Sequence, residues 1–487
     1  MVTRTRLRIF PDPRRVVTTL FAPGEELPGG ESRAASVVDR ILSMDGAEVK
    51  ATLDDLERQF GHRHQQLDAT WSAHFRVAAR RLGKSDHIPA DRAQLIGAYF
   101  TREIAVESVA VLNPSMVAHP DQGDLADGST RFVMSLRAVS EGHVSCIEFR
   151  TGVVDGTGKI DLDEPGPYVV RAQCSPGPYN RQLFHAKLAE HGSDNQAAAL
   201  VLDQVGDYFD ASGLEKAIAS VHHELLARTA VRNVIERIRW VAANNYTAQF
   251  PAGPSISERV LWPHGSTEAQ GMEDARFVRF VDDMGAVSYL ASYTAFDQAH
   301  IIPQMLSTTD FRTFVVSQLS GTFATDKGMA LFPRTVGGRF MALSRWDREN
   351  LALTVSDDGH EWAEGTTLRW PRQPWELVQV GNCGSPIETD QGWLVLTHGV
   401  GPMRSYAIGA ILLDLEDPRR VIATLTGPLL EAADDEREGY VPNVVYSCGA
   451  LVHDQRLVLP YGFSDRAIGF VSVDLAELSS RWSALGS

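Results

Sequence analysis

Five times along the chain, a short apolar stretch, a turn and a second apolar stretch ending in a polar or charged residue follow one another. The second stretches are GSTRFVMSLRA (128–138), GAVSYLASYTA (285–295), GGRFMALSRW (337–346), QGWLVLTHGV (391–400) and DQRLVLPYGF (454–463). NPSMVAHP, EDARFVRF, KGMALFP, GSPIET and NVVYSCGALV precede them in that order. The last four repeats start roughly 50–65 residues apart, the size of a four-stranded propeller blade. The pattern predicts an all-β core built as a five-bladed β-propeller. The first two repeats stand about three times further apart, and the excess has its own composition. There LEKAIASVHHELLARTAVRNVIERIRWVA sets apolar residues at helical spacing, as do SRAASVVDRIL, ATLDDLERQF and LDATWSAHFRVAARRL nearer the start. The reading is therefore a mainly helical region over 1–104, a first blade over 105–182, a helical insertion over 183–242 and the remaining blades over 243–487.

Charge narrows the partners. The chain carries 46 Lys+Arg against 62 Asp+Glu, a net −16 at pH 7. That argues against a nucleic-acid surface, which needs clustered cations, but not against one anionic group held by a few local ones. No run approaches the roughly 18 apolar residues of a membrane span. MVTRTRLRIFPDPRR has charge but no apolar segment behind it, so no secretory leader is expected. Cys146, Cys174, Cys383 and Cys448 are far apart and read as buried free thiols of a cytoplasmic protein. No partner other than small molecules is implied, and a homo-oligomer is compatible with the composition.

A propeller gathers the inner strands of its blades around one axis, so polar residues at their ends converge. Those at the starts of the first strands are Asn113, Glu273, Asp274, Lys327, Ser385 and Asn443; the ends of the second strands add Arg137, Thr294, Arg345, His398 and Tyr461. Arg137, Arg345 and Lys327 are cations where a blade interior should be apolar, so carboxylates or a ligand should lie beside them. In GMEDARF (271–277), alternation puts Arg276 on the side of Asp274. Asp274 suits a general acid if burial raises its pKa; it equally suits a turn aspartate or an ion pair with Arg276. Lys327 and Arg345 flank one blade and, with His398 from the next, can reach an axial anion; salt bridges to surplus carboxylates would also account for them.

Other signals fail. His222, His223 and Glu224 lack a second histidine four residues on, so no zincin site follows. SDDGHEW (356–362) is similar to a sialidase Asp-box but one residue short, and reads as a turn between outer strands. No metal-ligand cluster, dinucleotide fingerprint, P-loop or nucleophile elbow stands in its required context.

GMEDARF, KGMALFPRTVGGRFMALSR, GNCGSPIETDQGWLVLTHGV, YAIGAILLDLEDPRRVI, EGYVPNVVYSCGA and YGFSDRAIG resemble, in order and spacing, glycoside hydrolase family 130 across about 244–475. NPSMVAHPDQ through LRAVSEGHVSCIEFRTG adds weaker support. The resemblance implies a five-bladed propeller acting on β-mannosides, mostly as an inverting phosphorylase, with some members hydrolases. The N-terminal helices and the insertion lie outside the common core. The resemblance implies that Asp274 is the general acid, in some members through a mannose hydroxyl. It also implies that Lys327, Arg345 and His398 serve phosphate. Asn113, Arg137, Asn245, Glu273, Arg276 and Asp465 are expected to contact substrate. Two basic residues frequent in the family are missing, one within QAHIIPQML and one at Gln379, which thins the cationic cradle.

The chemistry agrees with the residues. Inverting hydrolysis needs two carboxylates about 6.5–9.5 Å apart, one activating water. Phosphorolysis needs the acid and cations that hold phosphate. One prominent carboxylate beside three basic residues favours an inverting β-mannoside phosphorylase giving α-mannose 1-phosphate, with inorganic phosphate as co-substrate and no cofactor or metal. The first alternative is an inverting β-mannosidase, with Glu258, Glu268, Glu376 or Asp465 as candidate base. The second is a non-catalytic carbohydrate-binding propeller presenting Trp262, Trp346, Trp375 and Trp393. A five-bladed furanosidase would need an early carboxylate where Asn113 stands.

Overall fold

Residues 2–24, 32–82, 88–221 and 229–484 are described by a computed structural model, mostly β-sheet. The chain divides into two units. The smaller comprises Asp12–Ser108 and Gly166–Arg171. In it the helices Arg33–Leu42, Gly46–Phe60, Leu67–Leu82 and Ala90–Tyr99 bury Val38, Ile41, Val49, Leu95 and Phe100 together. Asp45 caps the second helix by accepting from the Ala47 amide at 2.8 Å. A Cβ at Gly97 would lie 2.0 Å from the Trp71 carbonyl, so glycine is what lets the third and fourth helices approach. Strands Val16–Leu20 and Thr101–Ala105 pair beside these helices.

The larger unit is a succession of antiparallel groups, because its apolar residues alternate or run continuously through strands buried on both faces. Ala110–Ala118, Thr130–Val139 and Ser145–Val154 form the first group. Gly271–Val281, Val287–Phe296, Ile301–Thr308 and Thr313–Gln318 form the next. Ala330–Leu331, Phe340–Ser344, Leu351–Ser356 and Glu364–Arg369 follow. Then come Gln379–Asn382, Gly392–Val400, Tyr406–Leu413 and Val421–Leu425. Val445–Tyr446, Arg456–Phe463 and Ala467–Asp474 are last.

The first strands of these groups lie side by side. Phe277 N–H donates to Ser115 Oγ at 3.0 Å, and Ser292 Oγ–H, from the second strand of its group, to the Met329 carbonyl next to the following first strand. Asn382 donates to the Gly328 carbonyl. At Gly384 the backbone is packed against Cys448, and Cys448 N–H returns to the Pro114 carbonyl at 2.8 Å. SDDGHEW is the turn joining Leu351–Ser356 to Glu364–Arg369, where Asp358 accepts from the His360 and Glu361 amides.

Two boundaries differ from the sequence reading. Thr3–Ile9, placed in the helical region, is a strand antiparallel to Ala467–Asp474. Its alternate residues are Arg4, Arg6 and Arg8, so it shows no apolar stripe; Arg8 is held by Glu436 at 3.0 Å. Gln173–Pro176, placed in the first blade, pairs instead with Tyr246–Gln249 on the outer side of the second group. Four strand residues carry too short a pattern to reveal their partner.

The insertion holds the helices Arg181–Glu190, Gln196–Leu202, Ala211–Ala219 and Thr229–Ala243 around Phe184, Leu188, Leu202, Ile218 and Ile238. His222, His223 and Glu224 lie outside the described residues. Among the described residues no helix is long and apolar enough to cross a membrane. Cys146, Cys383 and Cys448 are buried cysteines outside any disulfide, while Cys174 is half-buried.

Candidate active site

Period-two alternation cannot send neighbouring residues of one strand to the same place, and here the backbone breaks it. The register slips between Glu273 and Arg276 and again between Leu112 and Ser115. At these breaks Asp274 and Asn113 take left-handed backbones, φ 56° and 51°, and Asp465 does so at φ 47°. Asn and Asp tolerate that region better than other residues with a Cβ. The two bulges aim their side chains at each other, and Asn113 Nδ2 donates to Asp274 Oδ1 at 2.6 Å.

Around this pair, carboxylates and cations interlock. Glu273 bridges two cations, accepting from Arg137 Nη2 at 2.7 Å and from Lys327 Nζ at 2.6 Å. Arg137 also reaches Asp274 at 3.4 Å and donates from Nε to Ser145 Oγ at 2.8 Å. The buried cations thus have the carboxylate partners that desolvation requires. Burial alone pushes the Asp274 carboxyl up, but Arg137, Lys327, the Asn113 amide and Arg276 outweigh it and hold it below its ordinary value. The upward shift expected of a buried acid is therefore absent, and these neighbours favour the Asp274 carboxylate. Asp465 goes the other way: burial, with Asp274 nearby, raises it to about 6 against the pull of Arg137, Arg404 and Lys327.

A second cluster adjoins the first through Arg276. Its guanidinium donates to the Asn382 side chain at 3.1 Å and to Tyr446 OH at 2.8 Å. His398 Nδ1 lies 3.0 Å from the Asn382 carbonyl, which can only accept, so Nδ1 carries the proton. Nε2 is then an acceptor, and Arg345 Nη1 sits 3.2 Å away to donate to it. Burial, then Arg345 and Arg276, hold the imidazole well below its ordinary pKa, so it is neutral. A Cβ at Gly381 would fall 2.5 Å from His398 Cε1, which makes room for the ring a glycine requirement. Arg345 also approaches Asp326 at 3.5 Å, and its Nε is buried without a partner among the described residues. His398 and Asp326 thus orient the Arg345 guanidinium.

The structure brings together Asn113, Arg137, Glu273, Asp274, Lys327 and Asp465 in one cluster and Arg276, Arg345 and His398 in the other. Asn245 is elsewhere: its amide donates to the Val241 carbonyl at 2.7 Å and accepts from Gln318 N–H at 3.1 Å, tying a helix end to a strand. Tyr461 turns away to Glu436, because its neighbour Gly462 is the residue packed against Asn113. Thr294 is the strand partner of Glu273. The Ser385 hydroxyl is buried without a partner among the described residues, lining a groove with Phe277 and Val452, and the Asn443 carbonyl accepts from Tyr406 N–H.

Three candidate bases are structural. Glu258 closes a capping box with Ser255. Glu268 accepts from Tyr246, Tyr293 and the His264 and Gly265 amides. Glu376 takes Arg369 at 2.6 Å. Sequence reasoning missed Asn382, Tyr446 and Asp326, although the first two lie in quoted motifs. Among the described residues no group of three or more His, Cys, Asp or Glu is placed to hold a metal.

Comparisons with known proteins bear on this geometry. Residues 250–481 match a family model described as Glyco_hydro_130, beta-1,4-mannooligosaccharide phosphorylase. A 1,2-beta-oligomannan phosphorylase of Thermoanaerobacter sp. (strain X514) is 32% identical over 227 residues, covering 46% of this chain and 75% of that protein. A beta-1,2-mannobiose phosphorylase of Listeria innocua is 28% identical over 226 residues, 45% of this chain and 62% of its own. The solved complex of a Listeria innocua beta-1,2-mannobiose phosphorylase with beta-1,2-mannobiose superimposes with a TM-score of 0.45 at 19% identity, over 78% of this chain and 92% of that one.

Proposed function

The chain belongs to glycoside hydrolase family 130, and on that premise we propose that it is an inverting β-mannoside phosphorylase acting on manno-oligosaccharides. The observation that carries the reading is one carboxylate, Asp274, ringed by Arg137, Lys327 and Arg276, with Arg345 held ready by His398 and three rival bases committed to structure. Cations in that number suit an anionic nucleophile better than water. The relatives named above as phosphorylases support it.

In the proposed reaction, Lys327 and Arg345 hold inorganic phosphate on the face of the mannose opposite the leaving group. A phosphate oxygen forms the new bond to C1 as the C1–O glycosidic bond breaks, and the electron pair leaves with the glycosidic oxygen. The proton that oxygen needs comes from Asp274, directly or through a sugar hydroxyl. The product is α-mannose 1-phosphate. Phosphate brings negative charge against the cations that otherwise hold Asp274 ionised, so its arrival favours the protonated acid. We place this chemistry in a five-bladed propeller. The side-by-side first strands, returning from Cys448 to Pro114, support that arrangement. The proposed route uses no metal or organic cofactor, and activity should survive EDTA.

One observation favours a second reading. Asp465 is a further carboxylate in the same electrostatic neighbourhood, and a β-mannosidase would need such a group to activate water. Incubation with β-1,2-, β-1,3- and β-1,4-mannobiose, with and without phosphate, separates the two. Phosphate-dependent α-mannose 1-phosphate supports phosphorolysis; mannose at the same rate without phosphate, and no sugar phosphate with it, makes the protein a hydrolase.

A further inference from the structure

Next to the two clusters lies a cavity of about 810 Å³ that the proposed reaction does not use. One wall belongs to the helical insertion, through Arg237, Trp240 and His191; the other is the turn at 297–300, the start of the strand Ile301–Thr308 and the segment 321–326. The insertion is fastened there: Lys187 Nζ donates to the Leu319 carbonyl at 3.0 Å, and Glu190 accepts from Gly321 N–H at 2.8 Å. Asp326 is common to cavity and site, lining the one while approaching Arg345 of the other at 3.5 Å.

The lining has a sugar-binding character. Trp240 is a half-buried ring on the lining, with Arg237 over it at 5.0 Å and His191 edge-on at 4.9 Å. Aromatic rings take the C–H faces of sugars, while fork-shaped and hydroxyl side chains take their hydroxyls. Much of the charge is internally matched: Asp297 with His300 at 3.1 Å, Asp326 with Arg348 at 3.4 Å, and Glu190 with Lys187. Such a lining suits a neutral polyhydroxy ligand better than a second phosphate. Its volume lies in the range of about 300–1,000 Å³ usual for small-molecule pockets.

We propose that this cavity, built by the insertion, is a subsite for the sugar units of a manno-oligosaccharide remote from the bond being broken. The inference rests on the β-mannoside reading above, and it makes the insertion a determinant of chain length.

The test compares kcat/KM on β-mannotetraose and β-mannobiose for the full-length protein, Trp240→Phe, Trp240→Ala and Arg237→Ala. The tetraose-to-biose ratio should fall about tenfold in Trp240→Ala, the scale of one lost stacking contact. Trp240→Phe should retain most of it. Because Trp240 also packs on the insertion's own core, Arg237→Ala is the variant that decides if Trp240→Ala does not fold; it should lower the ratio at unchanged melting temperature. A ratio unaltered in the folded variants overturns the subsite and leaves phosphorolysis standing. Absence of turnover on any β-mannoside overturns the β-mannoside reading and the subsite with it.

Discussion

Replacing Lys327 by alanine tests the phosphate assignment more sharply than any other single change. Lys327 Nζ touches Glu273 at 2.6 Å, and its side chain is 33% exposed, so the ammonium still faces solvent with donors to spare. A hydrogen bond to a charged group contributes about 1.5–3 kcal/mol. Partial exposure and the loss of the Glu273 contact put the value near the lower end, so phosphate KM should rise about 10- to 30-fold. Mannoside KM should change by less than about threefold, since Asn113 and Arg137 are untouched. A second signature follows from the charge field. Lys327 is one of the cations that hold the Asp274 carboxyl low, so its removal lets that pKa rise. A general acid must be protonated to work, and the alkaline limb of the kcat profile should therefore move to higher pH. Initial rates of α-mannose 1-phosphate release, measured against each substrate and against pH, read both effects. An unchanged phosphate KM, or equal rises in both KM values, would refute the reasoning.

Asp274→Asn keeps the left-handed backbone and the acceptor for Asn113 while abolishing the acid, so turnover of mannobiose should fall at least about 100-fold. Mannosides with good leaving groups should suffer less, and near-normal mannobiose turnover would reject the role. Glu268→Gln replaces a charged acceptor of two tyrosine hydroxyls and two backbone amides by a weaker neutral one, which should lower the apparent melting temperature by at least about 5 °C. Its kcat per folded molecule should stay within about twofold; a large kcat loss at unchanged melting would restore Glu268 as a base. His398 is held neutral, chiefly by burial and then by Arg345 and Arg276. The unfolded chain therefore takes up that proton first as pH falls, and stability should decline below about pH 6.5. In His398→Gln that part of the melting profile should flatten; an unaltered slope would mean another group titrates there.

The strands were legible because their apolar residues follow a turn of glycine or polar residues each time, from GSTRFVMSLRA to DQRLVLPYGF. What escaped is whatever departs from regular periodicity. Alternation sends Glu273 and Asp274 to opposite faces, whereas the register slip and the left-handed Asp274 bring both to the same charges. Tyr461 was expected at the site from its place near a strand end, yet Gly462 takes the inner position and Tyr461 the outer. Asn245 belongs to a helix–strand junction, and Asp326 carries no motif at all. Its significance comes only from the fold that sets it between Arg345 and Arg348.

The site's charges suggest why phosphate and acid should work together. Glu273 and Asp274 face Arg137, Lys327 and Arg276, while Asp326 faces Arg345. Arg137 and Lys327 share Glu273 and Arg345 lies beside Asp326, while Arg276 is held by Asn382 and Tyr446, so a phosphate competes with carboxylates for part of this charge. The competition has a consequence at Asp274, whose ionised form depends on those same cations. Drawing their field toward phosphate weakens what opposes burial, and burial favours the neutral acid. Asp465, raised to about 6, lies close enough to the balance to take up a proton as well. By this reasoning the resting site is a poor acid, and nucleophile binding improves it. That order would restrain proton donation when only water is present, which is the physical case for phosphorolysis over hydrolysis in this chain.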